Sequence, residues 1–66
     1  MEKSHLRELP DAMLAAHYFN ENIRPRHIQE GWPAFLIDKG CHQYGIESAC
    51  NPEAMRQIRE HYGIKQ

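Results

Sequence analysis

Neither valine nor threonine occurs anywhere in these 66 residues. Sheets are built from β-branched and aromatic side chains that suit a pleated, half-buried surface. Here the β-branched set shrinks to six isoleucines, at 23, 28, 37, 46, 58 and 64. No stretch alternates apolar and polar residues over the length of a strand. The chain is therefore expected to be all-α, a small compact array of three to four short helices in one domain, residues 1–66. A chain this short buries only about 60% of the surface its unfolded form exposes. A second copy is one way to supplement so thin a core, with the apolar face of the first helix as the natural seam.

Proline and glycine divide the chain. Pro10, Pro25, Pro33 and Pro52 each suit the first turn of a helix, where a missing N–H costs nothing. The first helix is predicted over about 10–22, opened by Pro10 and Asp11 and stopped at Asn20-Glu21-Asn22. Ser4 to Leu9 form a leading turn, with Leu6 and Leu9 packing back. A short helix over about 25–30 ends at Gly31. The third helix is predicted over about 33–44, carrying Ala34, Ile37, Cys41 and Tyr44 on one stripe, with Gly45 as its left-handed cap. Gly40 weakens it by about 1 kcal/mol relative to alanine. The last helix is predicted over about 52–62, with Asn51 as N-cap, Glu53 on the favourable end of the dipole and Gly63 as the stop. Tyr-Gly-Ile occurs at 44–46 and again at 62–64, and both copies are read as helix stops. The expected core is Leu14, Tyr18, Phe19, Ile28, Trp32, Phe35, Leu36, Ile37, Tyr44, Ile46, Met55, Ile58 and Tyr62.

Charge is balanced: the net is -1, made of -2 over residues 1–23, +1 over 24–46 and 0 over 47–66. A dedicated nucleic-acid binder carries a basic surplus, which is missing here. The first eight residues mix both charge signs, and the longest apolar run is Ala34-Phe35-Leu36-Ile37. Neither resembles a signal peptide or a membrane span of about 20 residues. The expected location is cytoplasmic, with Cys41 and Cys50 reduced rather than bridged. The initiator methionine is read as the start of a complete small gene product, of the kind that phages and mobile elements often encode.

Candidate chemistry is sparse. Cys41, His42, Cys50 and His61 are the residues from which a small zinc module would be built, but the close cysteine pair of a zinc knuckle is missing. No metal ligand is assigned, and Cys41 on the apolar stripe is read as a small hydrophobe. Cys50 sits just before a helix N-terminus, which favours thiolate, but no base or oxyanion site can be assembled around it. His17 is read as a hydrogen-bonded structural histidine, and no carboxylate pair or phosphate loop is present. No catalytic residue and no cofactor are assigned, and the chain is not expected to be an enzyme.

Two surfaces remain. Arg24-Pro25-Arg26-His27 concentrates positive character beside Trp32. Arginine beside tryptophan is the composition of an interaction hot spot, although solvated loop charges and a tryptophan plugging the core would look the same. The alternative is a helix-turn-helix DNA binder that uses the 33–44/52–62 pair, turning at Gln43-Tyr44-Gly45-Ile46 and contacting phosphate through Arg56, Arg59 and Lys65. Charge balance favours the first. The expectation is a small helical regulator, inhibitor or accessory subunit that binds another protein through Arg24, Arg26, His27 and Trp32.

Overall fold

A computed structural model describes the backbone of residues 3–64, and the side chains from His5 to Ile64. A 3-10 turn, Lys3–Glu8, leads into four α-helices: α1 Asp11–Asn22, α2 Arg24–Gln29, α3 Ala34–Ala49 and α4 Pro52–His61. No strand occurs among the described residues, so the chain is all-α.

Proline places the first break. Pro25 has no N–H to give the carbonyl four residues back, and its ring crowds that carbonyl. The helix therefore kinks at Ile23, which closes α1 by bonding to the Phe19 carbonyl at 2.8 Å and opens α2 by accepting from Arg26 and His27 at 3.1 Å. Asn51 caps α4 as its residue type predicts, its side chain accepting from the backbone N–H groups of Glu53 and Ala54 at 3.1 and 3.2 Å. Gly63 closes α4 with φ +72. The N–H of Ile64 reaches the Arg59 carbonyl at 2.9 Å and that of Gly63 the Glu60 carbonyl at 3.1 Å. These two bonds make a Schellman ending, which returns Ile64 to the core cluster that contains Ile58.

The third helix departs from expectation. It does not stop at Tyr44 but runs unbroken through Gly40 and Gly45 to Ala49. Gly45 is a packing residue instead of a cap. A Cβ built on it would stand 2.7 Å from the Ala12 carbonyl oxygen and 3.7 Å from the Ala16 Cβ. Helices α1 and α3 thus run antiparallel with backbones nearly touching, through Ala12 and Ala16 on one side and Cys41 and Gly45 on the other. The Cys41 thiol lies in this seam, 3.7 Å from the Ala16 carbonyl and 3.5 Å from Asn20 Oδ1.

Two small clusters form the core. Leu6, Leu14, Ala15, Met55, Ile58 and Tyr62 gather where α4 and the 3-10 turn meet α1. Phe19, Ile37 and Cys41 form the second cluster along α1 and α3, and half-buried Tyr44 packs on both. Arg59 donates to Asp11 at 3.0 Å and the Tyr62 hydroxyl to Glu21 at 2.8 Å, tying α4 across α1. The result is a plate, 36 × 26 × 15 Å. So thin a body cannot cover every apolar side chain. Five expected core residues, Ile28, Trp32, Phe35, Leu36 and Ile46, are exposed.

Two outcomes follow from this packing. Gly45→Ala drives a methyl into backbone and is expected to lower unfolding free energy by about 2 kcal/mol. Gly40→Ala meets only the Phe19 ring at 3.8 Å, ordinary contact. It should raise stability by up to about 1 kcal/mol, since alanine is the better helix former. Urea midpoints of the pair measure the contrast. Burial, then the hydrogen bond to Glu21, pushes the Tyr62 phenol above its ordinary range. The fold holds the neutral form, so this contribution is complete below the ordinary tyrosine pKa of about 10 and is lost as pH climbs from there. Tyr62→Phe removes that titration, and its urea midpoint should fall less than the wild-type midpoint between about pH 8 and 10.5.

Candidate functional site

The stretch from α2 into the start of α3 carries four of the six exposed large apolar residues among those described, Met13 and Ile46 lying elsewhere. Beyond the end of α2, Gly31 turns the chain with a φ of +89, open to glycine and strained for other residues. The Gly31 N–H bonds to the Ile28 carbonyl at 3.1 Å and the Trp32 N–H to the His27 carbonyl at 3.0 Å. This is the same Schellman geometry that ends α4. It folds Trp32 back onto α2, where the indole stacks on the His27 ring with centroids 4.9 Å apart and planes at 28°. The indole N–H donates to Glu30 Oε1 at 2.9 Å. His27 in turn meets Phe19 edge-on at 5.7 Å, which anchors the stack to the core. Trp32 is therefore held in one place while 47% of its surface stays exposed. It does not plug the core.

Its neighbours are more open still. Ile28 is 61% exposed, Phe35 70% and Leu36 38%. The reason lies in the register of α3. Its inward residues are Ile37, Cys41, Gly45 and Ser48, all buried. Phe35 shares the opposite face with Lys39, His42 and Ile46, at spacings of four, three and four residues, and all are exposed. The sequence thus holds two helical stripes on α3, and apolarity alone does not say which faces in. The small residues Cys41, Gly45 and Ser48 are the signal that does, because only they allow close approach to α1.

The arginines of the corner have separate fates. Arg24 is a clasp: its Nε donates to Asn20 at 2.9 Å and an Nη to Asp38 at 2.7 Å, joining the α1–α2 bend to α3. The Asp38 carboxylate raises the Arg24 pKa. Arg24 is thus committed within the fold. Arg26 is exposed and makes no ion pair among the described residues. It lines a cleft of about 210 Å³ with Ile23, His27 and Glu30. The Nδ1 of His27 is shut off from solvent and has no hydrogen-bond partner. A second cleft of about 90 Å³, between Tyr18, Tyr44, Ala54, Gln57 and Ile58, has room for roughly three waters.

The alternative surfaces are less open. Gln43 to Ile46 lie inside α3, so no turn exists there, and the bend before α4 is Cys50-Asn51. Arg56 is engaged by Glu53 and, at 2.7 Å, by Glu60. Hydrogen bonding to Arg56 holds the Glu53 carboxyl below the usual carboxylate range. Arg59 is paired with Asp11 at 3.0 Å. Lys65 lies outside the described residues. A phosphate would have to displace carboxylates from both arginines. Cys41 is buried, Cys50 is exposed, and both are free thiols. Among the described residues, no three His, Cys, Asp or Glu side chains are grouped to hold a metal. His17 contacts Glu21 at 3.2 Å and lies beside the Tyr62 ring at 5.6 Å. Among the described residues, no helix is long and apolar enough to cross a membrane.

No protein-family model, curated protein or solved structure matches this chain.

The Gly31 turn makes a prediction. Gly31→Ala forces a side chain into the left-handed region and should cost about 1–2 kcal/mol of stability. Because the turn also sets the indole on His27, Trp32 emission should shift to longer wavelength in the folded variant. An unchanged spectrum would mean that the stack does not depend on the turn.

Proposed function

We propose that this protein acts by binding another protein through the α2–α3 corner, as a regulator, inhibitor or accessory subunit, and not by turnover of a small molecule. One observation carries the reading. Four large apolar side chains, Ile28, Trp32, Phe35 and Leu36, stand exposed within nine residues on a rigidly held corner. Burial of apolar surface is the main driving force of folding, so their exposure forgoes stabilisation that burying each would add, of about 1.5–3 kcal/mol. Tryptophan and arginine are the residue types that most often dominate contact energies, and the corner carries both: Trp32, held on His27 with nearly half its surface open, and Arg26, exposed and without an ion pair among the described residues.

The residues assigned to the contact shift accordingly. Trp32 and Arg26 stay as contact residues, with Ile28, Phe35 and Leu36 added. His27 becomes the platform on which Trp32 rests. Arg24 becomes a strut. The DNA-binding alternative draws no support from Arg56 and Arg59, which face carboxylates of their own chain.

The test is affinity capture from the cell that makes the protein. Trp32→Ala combined with Phe35→Ala should leave the far-ultraviolet dichroism nearly unchanged and lower the urea midpoint only modestly, through loss of the Trp32–His27 stack. Retention of a specific partner should fall by at least about tenfold. Arg56→Ala, on α4 and paired with Glu53 and Glu60, should retain it. Equal retention by the Trp32/Phe35 double variant and the wild type would remove this corner from the contact.

A further inference from the structure

The charges that surround the exposed corner carry information about its occupant. Glu30 stands four residues after Arg26, the spacing at which a helix normally forms an ion pair. That pair is not made. The Glu30 carboxylate turns instead to the Trp32 indole N–H at 2.9 Å. The other acid of the corner, Asp38, is taken by Arg24 at 2.7 Å. Lys39, one turn along α3 from exposed Phe35, has Gln43 and His42 as its forward neighbours and Phe35 and Leu36 behind, and none is an acid. Among the described residues, neither Arg26 nor Lys39 has a carboxylate partner. Arg26 and Lys39 thus lie on the two helices that carry the exposed apolar residues without an ion-pair partner, while Asp38 is paired and Glu30 keeps its charge in the cleft it shares with Arg26.

Resting on the proposed protein-binding role of this corner, we infer that its occupant is an acidic polypeptide segment with aromatic or aliphatic anchors. The anchors bury Trp32, Phe35 and Ile28. Carboxylates beside them supply the partners that Arg26 and Lys39 lack. Arg26 can take a carboxylate through two parallel N–H groups, while Lys39 acts as a point charge. A basic segment would meet two unpaired cations against the single charged carboxylate of Glu30, and a purely apolar segment would leave both cations near a dry contact without compensation.

A selection experiment reads this directly. A random peptide library is displayed against the immobilised protein, and bound sequences are eluted and synthesised. The expected pool is rich in Asp and Glu within a few residues of Trp, Phe, Leu or Ile. Binding should weaken at least fivefold in Arg26→Ala and in Lys39→Ala, and about as much on raising the salt from about 50 to 500 mM, since partly exposed ion pairs are screened. Trp32→Ala should weaken it at least tenfold. Peptides that need Trp32 but lack acids, or that ignore Arg26 and Lys39, would overturn the acidic partner and leave the docking corner standing. Peptides indifferent to Trp32 and Phe35 would overturn both. Two other occupants are checked with the same variants. Equally strong, Trp32-dependent binding to phosphatidylserine vesicles would assign the corner to a lipid surface. A dimer in sedimentation that Trp32→Ala dissociates would assign it to a second copy. Either result would overturn the proposal.

Discussion

Helices α1 and α3 come close where Ala12, Ala16, Cys41 and Gly45 meet, because there nothing larger than a methyl or a thiol stands between them. Ala12 and Ala16 face Gly45 and Cys41, and at Gly45 the fit is so close that a single added carbon would strike the Ala12 carbonyl. That contact defines the hairpin. It sets the register that points Ile37, Cys41 and Ser48 inward, and therefore the register that points Phe35, Lys39, His42 and Ile46 outward. It also keeps Gly45 helical, although glycine favours a helix interior less than alanine by about 1 kcal/mol. The exposed surface is thus a consequence of the close approach at Gly45.

Thickness explains the rest of the arrangement. Four short helices make a plate 15 Å through, and α4 and the 3-10 turn cover only one side of the α1–α3 hairpin. A body of that shape buries nine hydrophobic residues among those described and leaves six large ones exposed. Most surface arginines are neutralised within the chain, Arg24 by Asp38, Arg56 by Glu53 and Glu60, Arg59 by Asp11. These pairs are exposed or partly so, and each contributes little to stability. Their larger effect is to offset charge on the α1, α3 and α4 surfaces, while Arg26 and Lys39 near the α2–α3 corner are left without ion pairs among the described residues.

Much of the architecture was readable before any coordinates. Pro10, Pro25 and Pro52 open helices or kink them, Asn51 caps α4, and Gly31 and Gly63 stop helices, because each acts through backbone geometry that its own residue type dictates. The candidate site was legible only in part. Trp32 and Arg26 were identifiable from composition, yet Phe35, Leu36 and Ile28 looked like core, because apolar residues on a helix announce burial without saying what would cover them. Arg24 looked like a contact residue, and its role as a strut depends on Asp38, 14 positions away.

The tripeptide Tyr-Gly-Ile shows where the division falls. At 62–64 it ends α4, with Gly63 left-handed, open space around it and Ile64 folded back on the core. At 44–46 the same three residues continue a helix, with Gly45 pressed against Ala12. By itself the sequence determined that the chain is helical and where its prolines and caps break it, since those are preferences of single residues and their near neighbours. Which glycine would end a helix and which would let two helices touch, and hence which stripe of α3 faces solvent, was decided only when α1 came to lie against α3, because that choice depends on atoms distant in the chain.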